Sequence, residues 1–246
     1  MDQMNGNSLA VFNSNDIYPV SADSELPFEQ HRDIFHLTGI DQEETILLLY
    51  PPSKNERTRE ILFIRKSDDH TKVWEGEKLS KEKATNLSGI ENIYFVDEFK
   101  KILNSIAVKV DTFYINKNEH YRANSPVETR EDRFITWLLK NYPAHNVAKS
   151  NPILQRQRSI KHPDEINQIK IACDITMKGF NRVLKFIKPN VWEYEIEAEF
   201  IHEFINNSSK GFAYSPIIAS GCDNNVLHYI KNNKKCKSGE LILMDV

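Results

Sequence analysis

The chain has 246 residues, 40% hydrophobic and 27% charged, enough apolar material for packed cores and unlike a disordered chain. Lys and Arg number 32 against 35 Asp and Glu, so the formal net charge is −3, without the basic excess of a dedicated nucleic-acid binder. Mean hydropathy is −0.53, and no apolar run approaches the ~20 residues that cross a bilayer, so no membrane segment is expected.

At about 150 residues per domain, the length predicts two domains. Residues 1–10 (MDQMNGNSLA) have neither a basic stretch nor an apolar one, so no secretory signal is read there. Cys173, Cys222 and Cys236 form no CxxC pair and are odd in number, which reads as free thiols in a reducing cytoplasm.

The first half reads as short strands between polar turns. Residues 8–13 (SLAVFN) form an apolar strand, and 45–50 (TILLLY) a nearly continuous apolar run expected to be buried on both faces. Residues 60–65 (EILFIR) follow a polar turn, which predicts a hairpin, and 93–96 and 112–115 are further β-rich segments. Helical spacing occupies 97–106 and 132–142, so strands alternate with helices and an α/β class is expected. Residues 151–162 (NPILQRQRSIKH) are basic and irregular and read as a linker, with a domain boundary near residue 155.

Pro163 followed by Asp164 and Glu165 suits a helix start, and Ile166, Ile169, Cys173, Met177, Phe180, Leu184 and Ile187 make one apolar stripe ending at Lys188-Pro189. A second helix over 192–206 is expected to bury Ile196, Phe200, Ile201, Phe204 and Ile205, with its glutamates 193, 195, 197, 199 and 203 on a solvated face. Strands are predicted over 214–220, 227–230 and 240–246. The last of these has no successor to cover its far side, so the chain reads as stopping inside a domain.

Several chemistries are missing. His202-Glu203 opens an HExxH-like string, but position 206 is Asn; there is no GxGxxG, P-loop or GxSxG, and the cysteines lack zinc spacing. One ordered constellation remains: residues 221–229 (GCDNNVLHY), then Asn232, then 239–245 (GELILMD). Asp245 follows four apolar residues in a β run, where a carboxylate is costly unless paired, hydrogen-bonded or metal-bound. By spacing alone Asp245 is either a turn or cap residue or a metal ligand, and His228 either an ordinary hydrogen-bonded histidine or an active-site one.

In order and spacing these segments resemble the aminopeptidase P branch of the creatinase/prolidase-like pita-bread metallopeptidases, over nearly the whole chain. Residues 21–30 (SADSELPFEQ), 33–39 (DIFHLTG) and 73–76 (VWEG) resemble that family's N-terminal domain. Residues 158–161 (RSIK) with Glu165-Ile166, and above all 220–229 through 243–245 (LMD), resemble its catalytic domain. The resemblance implies a creatinase-like α/β domain over 1–155 and the first part of a pita-bread catalytic domain over 156–246.

It further implies two divalent metal ions, commonly Mn2+, held by two Asp, one His and two Glu. Asp245 matches the first Asp, and the other four ligands would lie past Val246. His228 matches an active-site histidine that contacts substrate, and Trp74 a tryptophan that in tetrameric relatives lies near a neighbouring subunit's active site. Glu77 departs from the basic residue expected beside that tryptophan. The implied activity is release of the N-terminal residue from peptides with proline in second position, by a cytoplasmic homo-oligomer, dimer or tetramer, with no nucleic-acid or membrane partner. Dipeptide cleavage of the prolidase type and a non-catalytic binding module are the alternatives, and the 246 residues alone are expected to be inactive.

Overall fold

The structure, a computed structural model, describes residues 1–120, 122 and 125–246. The chain divides into two compact units, Met1–Ser159 and Ile160–Val246.

The first unit runs β1 (Ser8–Asn13), a small hairpin of β2 (Pro19–Ser21) and β3 (Ser24–Glu25), α1 (Arg32–Thr38), β4 (Ile46–Leu49), β5 (Glu60–Ile64), α2 (Asp69–Glu75) and α3 (Lys81–Ser88). It continues through β6 (Asn92–Phe95), α4 (Phe99–Ala107), β7 (Thr112–Ile115), α5 (Arg130–Asn141), β8 (Asn146–Lys149) and α6 (Asn151–Ser159). Six strands form one mixed sheet in the order β6-β5-β4-β1-β7-β8. The expected hairpin is β4 against β5, antiparallel with Ile46 opposite Phe63 and Leu49 opposite Glu60, while β7 lies parallel to β1.

Alternation along the strands builds a core on each face. Leu9, Val11, Ile46, Leu48, Ile61, Phe63 and Phe113 point to one side, covered by Phe99, Leu103 and Ile106 of α4 and Leu138 of α5. Ala10, Phe12, Leu47, Leu62, Ile64 and Tyr114 point to the other, covered by Ile34 of α1, Ala84 of α3 and Leu154 of α6. Burial on both faces is why the central strands read as unbroken apolar runs. The unit is therefore a three-layer α/β domain, the expected class.

One expectation fails here. Residues 151–159 are not an irregular linker but α6, whose Leu154 is 4% exposed in the second core. A single buried anchor on a basic helix gives too little periodicity to read.

The second unit contains α7 (Pro163–Phe186), α8 (Glu193–Asn206) and an antiparallel pair, β9 (Ile217–Ser220) and β10 (Ile242–Asp245). The α7 start is as read: Pro163 stands in the first turn, the His162 side chain accepts from the Asp164 N–H, and Glu165 accepts from the His162 N–H at 2.8 Å. Of the predicted stripe, only Phe180 and Ile187 pack against the core. Gly179 and Val183 are buried, with Ile175, Phe180 and Phe186 beside them, whereas Ile166, Ile169, Met177 and Leu184 are exposed. On α8, Ile196, Phe200 and Phe204 are buried as expected, but Ile205 is 60% exposed. Residues 227–230 form no strand; the chain there is a turn followed by coil.

Candidate active site

β9 and β10 supply the frame. Their register sets Ile217 opposite Asp245 and Ser220 opposite Ile242. Ile242, Met244 and Val246 pack into the core of the unit, which turns Leu243 and Asp245 to the open face. Asp245 is thus exposed and bears no burial cost, contrary to the apolar setting expected from its neighbours. Its Oδ1 accepts a hydrogen bond from the Tyr214 hydroxyl, which raises the Tyr214 pKa above its ordinary value.

His228 lies on the excursion between the two strands. The chain leaves β9 at Gly221, whose φ of +59° favours glycine, and whose missing Cβ leaves room for the Glu240 carboxylate. His228 and Leu227 are exposed, Leu227 at 82%, while the next residue, Tyr229, is buried. Asn232, at φ +44°, closes the excursion: its Oδ1 accepts from the Ile218 N–H at 2.9 Å and its Nδ2 donates to the Pro216 carbonyl at 3.0 Å. Farther on, the Cys236 N–H donates to the Val191 carbonyl at 2.9 Å, returning the chain to the start of α8.

Beneath the excursion lies Glu193, the first residue of α8 and 0% exposed. Oε1 accepts from the Ser220 N–H at 2.8 Å and the Ser220 hydroxyl at 2.7 Å. Oε2 accepts from the Tyr229 hydroxyl at 2.8 Å and the Lys234 N–H at 2.9 Å. Burial, and then this bond to Glu193, push the Tyr229 phenol up to about 12. The expected solvated glutamate face therefore fails at its first member. Its neighbours are tied down as well: Glu199 pairs with Arg182, and Glu197 accepts from Asn232 Nδ2 at 2.8 Å.

Trp74 belongs to the first unit, on α2. It is 72% exposed and Val73 82%, and its ring stacks on His70 with centroids 6.0 Å apart. The short helix is fixed at both ends. The Asp68 side chain accepts from the Thr71 N–H at 2.7 Å, and Glu75 pairs with Arg65 at 2.7 Å and Lys78 at 2.9 Å. Both cations also meet Glu43, and these bonds hold the Glu43 and Glu75 carboxyls below the usual carboxylate range against the opposing effect of burial. His228 and Asp245 thus share one unit, and Trp74 is carried by the other.

Comparison with known proteins follows the same two-part division. Residues 1–114 match the family described as aminopeptidase P, N-terminal domain, and residues 167–246 match metallopeptidase family M24. Both parts of the chain are thus similar to the aminopeptidase P group of the M24 metallopeptidases. An Xaa-Pro aminopeptidase of Escherichia coli is 27% identical over 100% of this chain and 56% of its own length. One from Haemophilus influenzae is 28% identical over 99% of this chain and 54% of its own. The structure of zinc-substituted E. coli aminopeptidase P in complex with product superposes with a TM-score of 0.85 at 26% identity, covering 99% of this chain and 55% of that one. The chain therefore spans just over half the length of these relatives.

An M24 metallopeptidase implies divalent metal ions. Asp245 has the right donor, a hard carboxylate oxygen on an open strand face. Among the described residues, however, no three His, Cys, Asp or Glu side chains converge on one point. The residues present thus fit one ligand and not a metal centre.

Proposed function

We propose that the whole protein is a metal-dependent Xaa-Pro aminopeptidase, removing the N-terminal residue from peptides whose second residue is proline. The observation that carries this reading is the joint occurrence of the two aminopeptidase P family matches with Asp245 on an open strand face and His228 on a pinned turn of the same unit. The X–Pro bond is a tertiary amide without an N–H, so peptidases that grip that group fail on it and a dedicated site is needed. In this reading Asp245 is a metal ligand, with two ions, manganese, completed by residues outside these 246. His228 donates to the substrate carbonyl as its oxygen gains charge. Trp74 contributes to substrate binding, and the first unit serves as the N-terminal domain of the enzyme.

We also propose a homo-oligomer, dimer or tetramer, working in the cytoplasm. The adjacent exposed Val73 and Trp74 support an association surface, and three unpaired thiols suit a reducing compartment. Among the described residues no helix is long and apolar enough to cross a membrane.

The test is to load the whole protein with manganese and assay an Xaa-Pro tripeptide, an Xaa-Pro dipeptide and an Xaa-Ala tripeptide. Release of the first residue from the Xaa-Pro tripeptide, with little from the Xaa-Ala one, is the expected result. Cleavage of the dipeptide alone would make it a prolidase-type enzyme, and no cleavage of any of the three would leave a binding module.

A further inference from the structure

Glu193 is a carboxylate taken wholly out of water on the first turn of α8. An ionised carboxylate in that position is expensive unless its lone pairs are met, and apolar packing would serve stability as well. Here all four donors come from the chain that surrounds His228. Ser220 gives its N–H and hydroxyl where that chain leaves β9, Tyr229 gives its phenol directly after His228, and Lys234 gives its N–H on the way back. The backbone reciprocates, since the Glu193 N–H donates to the Lys234 carbonyl at 2.9 Å. His228 itself is exposed, so its position is set through its neighbours in sequence rather than by packing of its own ring.

We infer that Glu193 is a positioning residue, clasping the beginning, middle and end of the excursion so that the His228 imidazole is held at a fixed place beside the β9–β10 pair. The consequence for catalysis rests on the peptidase reading above; the consequence for His228 does not. A second-sphere partner of this kind acts on turnover, because a reacting group displaced by about 1 Å loses about 100-fold in rate while ground-state binding elsewhere is retained.

The experiment uses the whole manganese-loaded protein and compares Glu193→Gln with Tyr229→Phe. Gln keeps the size of the side chain but turns an NH2 toward two donors, while Phe removes one of the four donors and keeps the ring. Glu193→Gln is expected to lower kcat by about 10-fold or more, with KM and bound metal within about threefold of wild type. The His228 Cε1–H resonance, read with diamagnetic zinc in place of manganese and assigned by its disappearance in His228→Ala, is expected to shift or broaden. Tyr229→Phe is expected to produce both changes on a smaller scale.

A Glu193→Gln protein that melts as wild type, with kcat and the His228 resonance unmoved, would overturn the inference. If that variant does not fold, Tyr229→Phe decides, and an unmoved resonance with unchanged kcat overturns it equally. If the wild-type protein cleaves no Xaa-Pro peptide while the resonance moves in both variants, the peptidase reading falls and the positioning role of Glu193 stands.

Discussion

His228 shows how far the placement of one exposed side chain depends on its neighbours. Its ring is exposed, and the turn that carries it is held by Tyr229 on one side and by Asn232 and Lys234 beyond. In the whole protein His228→Ala should lower turnover by about 100- to 1,000-fold, the scale of losing one preorganised donor, with bound metal unchanged. Metal analysis alongside the kinetics checks this; stoichiometric metal loss would make the histidine a ligand. His228 and Asp245 are singled out in the sequence by the resemblance of the segments around them to the aminopeptidase P family, since spacing alone leaves both open. Glu193 was not, since a helix with glutamate at 193, 195, 197, 199 and 203 reads as solvated, and its burial depends on donors from residues 220, 229 and 234.

Also at this scale, His31 carries a pH dependence. Its Nδ1 caps α1 by accepting from the Asp33 N–H at 3.3 Å, and burial, partly opposed by Asp33, lowers its pKa below 6.5. The unfolded chain therefore takes up the proton first as pH falls. The contribution is fully present above pH 6.5 and is lost as pH drops through the lower folded value, where a protonated Nδ1 no longer accepts. His31→Asn keeps an acceptor at the cap without titrating. Denaturant midpoints compared at about pH 7.5 and 5 should fall more in the wild type than in the variant; equal losses would show that His31 does not couple to folding.

At the scale of elements, the strands were read best where both faces are buried. β1 and β7 fall on the predicted residues, since continuous apolar runs leave little choice. The short helices α1, α2 and α3 were missed because each buries few side chains; α3 buries only Ala84 and is defined by Ser80 at one end and Gly89, with φ +73°, at the other. Residues 227–230 read as a strand and are not one, because the Asn232 side chain takes the Ile218 N–H that a neighbouring strand would have used. The stripe on α7 misled for a different reason: the helix meets α8 through its glycine. A Cβ at Gly179 would lie 2.9 Å from Phe200 Cδ1 and 2.9 Å from Phe204 Cε1, so the helices approach there more closely than any larger residue permits. Gly179→Val should destabilise the protein by about 2 kcal/mol or more, overpacking outweighing the helix propensity gained on replacing glycine. Chemical denaturation checks it, and a neutral or stabilising result would mean that the α7–α8 contact is looser than described.

At the scale of the whole molecule, the first unit is closed on itself, with cores on both sides of its sheet. The second has a well-packed core beneath β9 and β10, yet Leu227 and Leu241 are 82% and 80% exposed. The 246 residues by themselves should bind manganese no more tightly than about 10⁻³ M, because one carboxylate competes poorly with the hydration of a hard cation. Isothermal titration of this chain measures that directly, and a stoichiometric micromolar site would mean ligands converge where none are described. Light scattering of the whole protein at micromolar concentration should give a dimer or tetramer, and a strict monomer would contradict the association surface around Trp74.

Whether Asp245 anchors the metal on which the proposed Xaa-Pro cleavage depends is decided by Asp245→Asn in the whole protein. The substitution removes the charge while keeping the size and an acceptor for the Tyr214 hydroxyl. Metal content by mass spectrometry and release of the first residue from an Xaa-Pro tripeptide are measured on the same samples. The variant is expected to fold, to lose bound metal and to lose cleavage together. Full metal occupancy with undiminished cleavage would contradict it.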